Sequence, residues 1–487
     1  MFKVLDDDGR AVERLLLEGA DATLFNNEGL TALHLASYFG NVDVARILNA
    51  NGPGGQLDQT TPEGSSCLLL ASQQGHLEAV KFLHEVGGEA LLLKTATNGM
   101  SCLHVASLNG HLAVVEYLTK MGGKALLFKT MSGDSLCLHL ASQNGHLAVV
   151  EHLTKVGGKE LLFKLKLEGY SCLHSASECG HLAVVEYLAK VGGKALLLKT
   201  SASGFSCLYS ASQNGHLAVV NYLTKAGGKT LLFQTTPDGF TCLTKASDQG
   251  HLTVVAHLVE AGGKELLLKT TKSGHSCLHF ASLVGHLDVV EYLVKAGGDA
   301  LLLKATAKGL SCLHLASQNG HLAVVKHLTK AGGVALLLQT TPDGCSCLVS
   351  ASECGRLAVV KHLTKVGGDE LLFKIASGGF SCLHYAARWG HLAVVKHLTK
   401  AGGEALLLKT TIDGISCLHY AAQFGYLAVV EHLVSLSCSR LLALQVCRCG
   451  PTALDLAVVE GHAEICETLR AATSNSGRGP GGGEDVE

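Results

Sequence analysis

The sequence lacks the features that would assign it to several common functional classes. No uninterrupted apolar run approaches the roughly eighteen residues that a helix needs to span a bilayer. The first residues lack the apolar core of a secretory signal peptide, and no Asn-x-Ser/Thr sequon occurs. No Walker motif, nucleophile elbow or kinase signature is present either. We therefore expect a protein that is not an enzyme, binds no cofactor, and is neither secreted nor inserted in a membrane.

Charge is scarce as well. Charged residues make up 16% of the chain, and the net charge is −2 at pH 7. Residues 1–28 carry three basic and seven acidic side chains and residues 473–487 one and three, which leaves about +4 for the rest of the chain. A positive charge so weak and so widely spread does not predict nucleic-acid binding. Hydrophobic residues at 47% exclude a chain that is disordered throughout.

What the sequence has in abundance is repetition. The tetrad Ser-Cys-Leu-His at 101–104 recurs every 35 residues almost to the end of the chain. Aligned on the residue before the tetrad, thirteen copies begin at Gly29, Gly64, Gly99, Asp134, Gly169, Gly204, Gly239, Gly274, Gly309, Gly344, Gly379, Gly414 and Gly450. Tandem copies build one continuous core by stacking, so the period predicts a single elongated, curved solenoid.

One copy, residues 99–133, shows the predicted unit. Ser101 is placed to cap a short first helix, which Gly110 ends in a left-handed conformation. A second helix begins near His111 and ends at the glycine pair 122–123, with a predicted buried stripe at Leu112, Val115 and Leu118. The apolar triplet 126–128 follows in a loop, where it must pack on its equivalents because an exposed apolar ridge is unfavourable.

The unit resembles an ankyrin repeat. The resemblance is carried by Gly-Leu-Thr-Ala-Leu-His-Leu-Ala at 29–36 and Leu-Glu-Gly-Ala-Asp at 17–21, and it extends over residues 10–472. It implies an all-α, helix-turn-helix solenoid with terminal capping repeats that binds proteins. Cys replaces the family's Pro in most copies, and Gly-Gly-x-x-Leu-Leu-Leu replaces Gly-Ala-Asp. The period grows from about 33 to 35, so the hairpin finger of the family is expected as a short helical turn or a rebuilt loop.

We expect three regions along the chain. Residues 1–28 form an N-terminal capping half-repeat, residues 29–472 form an array of about thirteen ankyrin-like repeats, and residues 473–487 form a disordered, Gly-rich acidic tail.

Two ladders of histidines recur with the repeat. Cys and His two residues apart do not face each other on a helix, which argues against a catalytic dyad. The resemblance implies that the tetrad histidines brace neighbouring loops by hydrogen bonds; they are His34, His104, His139, His174, His279, His314, His384 and His419. The second ladder follows the turn glycine and is interpreted as a set of turn and helix-start residues: His76, His111, His146, His181, His216, His251, His286, His321, His391 and His462.

One cysteine cluster departs from the period. Cys438, Cys447, Cys449, His462 and Cys466 gather near the last repeat, and His462 and Cys466 share a helical face. Cys447, Cys449, His462 and Cys466 are thus candidate zinc ligands, although their spacing matches no common zinc module. The alternative is that these are ordinary buried cysteines.

Binding residues on a solenoid are expected where the copies differ. The outward positions of the first helices are mostly polar, but toward the C-terminus they become aromatic or basic. Trp, Tyr and Arg dominate interface energetics. The candidate partner-binding residues are Phe380, Tyr385, Arg388, Trp389, Tyr420, Phe424 and Tyr426, with Tyr38 and Phe39 in the first copy. Tyr385 and Tyr420 fit gap-filling between repeats equally well, whereas for Arg388 and Trp389 binding is favoured.

The sequence therefore favours a non-enzymatic, monomeric protein-protein interaction scaffold of the cytoplasm or nucleus, which binds a partner protein through the exposed face of its array. One alternative is a zinc- or redox-responsive protein that uses the Cys-rich C-terminal repeats. Another is an adaptor that delivers a bound protein to an enzyme complex.

The cysteines are expected to be free thiols. Eleven of the eighteen occupy one position in successive repeats. Stacked helices lie about 8–10 Å apart, whereas a disulfide needs Cα atoms within about 7 Å. Thiol counting by alkylation of the unfolded, non-reduced protein is expected to find about eighteen free groups. Disulfides at most Cys102-type positions would contradict both the stacking and a reducing compartment.

Overall fold

The computed structural model describes residue 4 and residues 6–51, 55–436, 446–448 and 450–474. These residues form two compact units, Met1–Pro237 and Asp238–Glu487, and each is a stack of helix pairs. Among the described residues, no helix is both long enough and apolar enough to cross a membrane. The expected tail lies outside the described residues from 475 onward.

In the first unit, each repeat contributes a short first helix and a longer second helix. The first helices span Ala32–Phe39, Cys67–Gln74, Cys102–Leu108, Cys137–Gln143, Cys172–Glu178 and Cys207–Gln213. The second helices span Gly9–Leu17, Val42–Asn51, Leu77–Leu92, Leu112–Leu127, Leu147–Leu162, Leu182–Leu197 and Leu217–Leu232. Short 3-10 helices cover Gln56–Asp58 and Leu167–Gly169.

The second unit repeats this pattern. Its first helices span Cys242–Asp248, Cys277–Val284, Cys312–Asn319, Cys347–Glu353, Cys382–Arg388, Cys417–Gln423 and Ala453–Val459. Its second helices span Leu252–Leu267, Leu287–Leu302, Leu322–Leu337, Leu357–Leu372, Leu392–Leu407, Leu427–Val434 and Ala463–Ser474. Strands Ile375–Ala376 and Phe380–Ser381 flank the 3-10 helix Ser377–Gly379 and pair in antiparallel register.

In each repeat, both helices contribute side chains to the buried core. In the copy at 99–133, Leu103 and Ala106 of the first helix are fully buried. In the second helix the stripe is Val114, Val115 and Leu118, all fully buried. The prediction for Leu112 was wrong, because it is the first helical residue and remains half-buried.

The glycine pair bends the second helix without ending it. Gly123 has φ 48° and ψ −142°, a conformation that side chains disfavour, and a Cβ on Gly122 would lie 2.6 Å from the Cβ of Leu126. After this kink another helical turn brings Leu126 and Leu127 into the core, at 1% and 2% exposure. The apolar triplet is thus mainly helical, which absorbs the added length of the repeat.

The connection to the next repeat is a finger, the pair of extended segments between a second helix and the following first helix. In most fingers a single antiparallel bridge joins the segments, as between Thr95 and Ser101. The finger is therefore retained, and the sequence-based alternative of a short helical turn describes the segment just before it.

The tetrad histidine makes hydrogen bonds from both ring nitrogens, one within its own repeat and one to the next repeat. The backbone N–H of Ser101 donates to Nδ1 of His104 at 3.2 Å, completing a capping box in which Ser101 Oγ accepts from the His104 N–H. Because Nδ1 accepts, the neutral ring carries its proton on Nε2, which donates to the Ser135 carbonyl at 3.3 Å. Equivalent bonds are donated by Nε2 of His174, His279, His314 and His384. Among the described residues, Nε2 of His34 and of His139 has no hydrogen-bond partner, so the predicted bond to the neighbouring loop was wrong for these two.

The second histidine ladder makes an inter-repeat bond that the sequence did not reveal. His111 Nε2 donates to the Gln73 carbonyl of the preceding repeat at 2.9 Å. The ring packs on the turn glycine of that repeat, so a Cβ on Gly75 would lie 2.5 Å from Nδ1. At the same position Arg356 donates from Nε to Gln318 at 3.0 Å, and Tyr426 lies against Gly390.

The tetrad cysteines are buried hydrogen-bond donors. Cys102 Sγ donates to the Leu92 carbonyl at 3.4 Å, and the same bond recurs at Cys312 and Leu302. Burial raises the pKa of these thiols to about 12. A thiol that stays protonated is a poor nucleophile and metal ligand, so this ladder is structural.

Because the tetrad histidines are buried and neutral, we expect the folded protein to lose stability in acid. Burial is the largest cause that lowers the pKa of His104, His139, His174, His279 and His384 from 6.5 to about 4. These histidines therefore bind protons more readily in the unfolded chain than in the folded protein. The stabilisation that the neutral rings provide is complete above pH 6.5 and is lost as the pH falls toward 4. At pH 5 we expect a loss of roughly 2 kcal/mol per histidine, measurable by urea unfolding between pH 7.5 and 5.

The chain offers a matched control for this experiment. Thr244 replaces the tetrad histidine and still forms a capping box with Thr241, with its N–H donating to Thr241 Oγ1 at 3.0 Å. Replacing His104 and His174 by Thr should lower stability at pH 7.5 but reduce its dependence on pH. A pH dependence as steep as that of the wild type would contradict the assignment.

Copies without the tetrad histidine should open more readily, because they lack its bond to the next repeat. These copies carry Leu69, Tyr209, Thr244 or Val349. We expect faster amide hydrogen exchange in residues 239–273 and 344–378 than in residues 99–133. Uniform protection in all three segments would contradict this prediction.

Candidate functional site

The predicted partner-binding residues of the second unit fall into one cluster at the first helices 382–388 and 417–423. Trp389 and Phe424 are exposed at 51% and 45%, and Phe380, Tyr385 and Arg388 are half-buried. Tyr420 is buried at 8% exposure. We call Phe380, Tyr385, Arg388, Trp389, Tyr420 and Phe424 the aromatic patch.

The finger before the first of these helices positions Phe380. Ala376 pairs with Phe380 and Ile375 with Ser381, and glycines 378 and 379 turn the chain at φ 79° and 83°. Ser381 then caps the helix, because its Oγ accepts from the His384 N–H and its own N–H donates to His384 Nδ1 at 3.1 Å. The finger and the helix are therefore fixed relative to each other by hydrogen bonds between backbone N–H groups and side chains.

The aromatic rings of the patch touch across two repeats. The Phe380 ring centroid lies 5.6 Å from that of Tyr385 and 5.7 Å from that of Tyr420. His384 completes the group at 6.2 Å from Phe380 and 6.3 Å from Tyr420. Such tilted and edge-on pairs at 4.5–7 Å are favourable beyond the area that they bury.

Arg388 extends the patch toward its exposed side. Its guanidinium carbon lies 5.7 Å from the Tyr420 ring centroid and 5.8 Å from that of Phe424. Cation–π contacts of this kind hold the guanidinium over the rings while its N–H groups stay available. Trp389, the C-cap residue of the helix, presents its side chain to solvent beside it.

Two candidates serve mainly as supports. Tyr420 lies beneath Arg388 and against Phe380, so it shapes the patch and contributes little exposed surface. Tyr426 occupies the second-ladder position, where its ring packs on Gly390. This is the gap-filling alternative that the sequence left open for Tyr420.

Tyr38 and Phe39 form a pair of their own in the first unit. Their ring centroids are 5.1 Å apart in an edge-on arrangement, and their exposures are 37% and 48%. The Tyr38 carbonyl accepts a hydrogen bond from His76 Nε2 at 3.0 Å. The backbone of this pair is thus fixed while both rings remain accessible.

Residues at equivalent positions of other repeats make similar contacts, and the sequence did not single them out. Cys345 Sγ lies 3.7 Å from Tyr385 Oη, and Cys345 occupies the finger position of Phe380 one repeat earlier. Phe280 takes the Tyr385 position and packs with Phe240 and His275 of two fingers, at 5.4 and 5.5 Å between centroids. Comparing finger and helix positions together, rather than helices alone, would have found them.

The patch is suited to recognition rather than to acid-base chemistry. Burial is the main cause that raises the pKa of Tyr385, and the contact with Cys345 adds to it. Burial likewise raises the pKa of Tyr420, although Arg388 opposes this. Both phenols therefore stay neutral at physiological pH, and the guanidinium carries the charge of the patch.

The candidate zinc ligands are not assembled in the described part of the chain. Cys447 and Cys466 are buried, and His462 Nε2 donates to the Gln423 carbonyl at 3.2 Å. Cys449, like Cys438, lies outside the described residues. Within them, no group of three or more His, Cys, Asp or Glu side chains is placed to hold a metal ion.

Comparisons with known proteins agree with the helix pairs. A family model described as ankyrin repeats (3 copies) matches residues 1–90, 53–129, 138–232, 227–302, 313–406 and 383–477, which is more than half of the chain. Among solved structures, the human ASB11 ankyrin repeat domain matches at 25% identity and a TM-score of 0.42, over 48% of this chain and 99% of that one. No curated protein matches the chain.

Proposed function

The chain belongs to the ankyrin repeat family, whose repeats generally act as protein-protein interaction modules, and we propose that it is a non-enzymatic scaffold that grips one partner protein mainly through the aromatic patch. The observation that supports this proposal is the combination of a half-exposed tryptophan, an arginine held over two rings, and a support made of the buried Tyr420 and the half-buried Phe380 and Tyr385. Interface hot spots typically combine Trp, Tyr and Arg in this way.

The plain repeats show what the patch replaces. In them the C-cap position carries Asn, and Asn144 Nδ2 donates to the Leu140 carbonyl at 2.9 Å. Asn109 and Asn214 make the same bond to Val105 and Ser210. Trp389 and Phe424 occupy this position without an equivalent amide, so large apolar surface replaces a local hydrogen bond.

We further propose that the protein works in the cytoplasm or nucleus as a monomer. Its tetrad cysteines are buried thiols, which suits a reducing compartment. The tetrad histidines are committed to capping and inter-repeat bonds, so they support structure rather than catalysis.

Replacing Trp389 and Arg388 by Ala should abolish capture of the main partner, as identified by affinity purification and mass spectrometry from the native cell. Truncating an anchor of a hot spot typically costs about 2 kcal/mol or more of binding free energy. The thermal unfolding midpoint should change little, because Trp389 is half exposed and a cation–π contact is worth only about 0.5–1 kcal/mol.

The matched control changes the same two positions of a plain repeat, Gln143→Ala with Asn144→Ala. This control loses the Asn144 bond to Leu140 and is expected to lower stability slightly, while partner capture stays intact. Loss of the partner in the control and its retention in the Trp389 variant would place the grip elsewhere on the array.

A further inference from the structure

On the outer face of most second helices, one or both of two positions four residues apart carry a charge. In the repeats of the first unit that contain Glu116, Glu151 and Glu186, these acids are followed by Lys120, Lys155 and Lys190. Opposite charges at this spacing stabilise a helix modestly, by about 0.2–0.5 kcal/mol per pair. Each of these repeats is therefore close to neutral on its outer face.

Three successive repeats of the second unit have a different charge pattern at these two positions. Their second helices, Leu322–Leu337, Leu357–Leu372 and Leu392–Leu407, carry lysine at both positions. We call these six lysines the basic strip: Lys326, Lys330, Lys361, Lys365, Lys396 and Lys400. All six are exposed, and Glu291 and Glu431 occupy the first of the two positions in the flanking repeats. The strip is thus a bounded patch of one sign.

The strip is locally unfavourable for the fold. Like charges four residues apart destabilise a helix, and none of the six lysines forms an ion pair within 4.0 Å with a carboxylate of the described residues. Acidic residues of the same helices, Asp369, Glu370 and Glu404, come only after the glycine kink. A cost repeated in three helices without local compensation is typical of a functional surface.

Half-buried imidazoles lie between the lysines of neighbouring repeats. His362 Nε2 lies 3.0 Å from Thr329 Oγ1, and His397 Nε2 lies 2.8 Å from Thr364 Oγ1. Burial lowers the pKa of His362, and Lys326 and Lys365 lower it further; Lys361 and Lys400 do the same to His397. Each imidazole therefore lies near ammonium groups of two neighbouring repeats, which places the lysines of the strip on one continuous surface.

We propose that the basic strip is a second docking surface, which binds an acidic α-helical segment of a partner protein laid across the three second helices. Packed helices lie about 8–10 Å apart, and seven residues of an α-helix rise about 10.5 Å. Glutamates repeated every seven residues on one face of the partner helix would therefore meet successive repeats.

The extent of the strip favours this occupant over a polyanion. Only three helices carry lysine at both positions, Glu291 and Glu431 occupy the first position in the flanking repeats, and the whole chain has a net charge of −2. A duplex or an anionic membrane would gain from a wide positive field, whereas a short acidic helix needs only these three repeats.

A fluorescent acidic peptide with glutamates in the seven-residue register tests the proposal by anisotropy. The matched variant is Lys326→Glu with Lys361→Glu and Lys396→Glu, which installs the residue that the chain itself uses at 116, 151 and 186. It should fold as well as the wild type by circular dichroism and bind the peptide at least about tenfold more weakly, because three attractions become repulsions. The binding should also weaken as salt is raised.

The first unit supplies a gain-of-function control. Adding Glu116→Lys, Glu151→Lys and Glu186→Lys to the triple glutamate variant rebuilds an equivalent strip and should restore the affinity to within about threefold of the wild type. The Arg388→Ala, Trp389→Ala variant should bind the peptide normally, which separates this surface from the aromatic patch.

Three results would overturn the proposal. The first is equal affinity of the wild type and the triple glutamate variant. The second is equal affinity for a peptide of the same composition whose glutamates are spread around the helix. The third is tighter binding of duplex DNA or phosphatidylserine vesicles than of the peptide, lost in the same variant, which would assign the strip to that polyanion instead.

Discussion

The stacking of the repeats depends on the hydrogen bonds that the neutral tetrad histidine makes. One ring closes the N-terminus of its own first helix through Nδ1 and holds the next finger through Nε2, as His174 does with Ser171 and the Phe205 carbonyl at 3.0 Å. A protonated ring cannot accept the capping bond. Burial that keeps the ring neutral therefore fixes the helix start and the inter-repeat register together, and Thr244 shows that a residue without the second arm preserves only the first.

A frame held by backbone-directed bonds leaves the outward positions free to vary. His181 anchors its repeat to the Gln143 carbonyl, and that bond is indifferent to the side chain of residue 143. The same holds for His391, which binds the carbonyl of Glu353. Differences between otherwise similar copies can thus accumulate on the first helices, and separately on the second helices, without changing how the repeats stack.

Much of this fold follows from the sequence, because the period and the caps are local signals. Ser101, Gly110 and the tetrad pattern predict the first helix well. The kink at Gly123 was not predictable from the glycine pair alone, since only packing of Leu126 and Leu127 explains why the helix resumes. For the same reason the sequence placed Leu112 rather than Val114 in the core: helical periodicity does not show where the first turn meets its neighbour.

The sequence proposed the residues of the aromatic patch as candidates and assigned only part of their roles. The sequence favoured binding for Trp389 but left Tyr420 open between binding and gap-filling. The structure separates them, since Trp389 is 51% exposed and Tyr420 only 8%, with the ring of the finger residue Phe380 from the preceding repeat packed against Tyr420. Such a relation joins residues forty positions apart and depends on stacking. The C-cap position adds a second argument. Asn144, the C-cap residue of a plain repeat, donates a hydrogen bond to the Leu140 carbonyl, whereas the C-cap residue Trp389 places a large ring in solvent. A local hydrogen bond is thus replaced by exposed apolar surface.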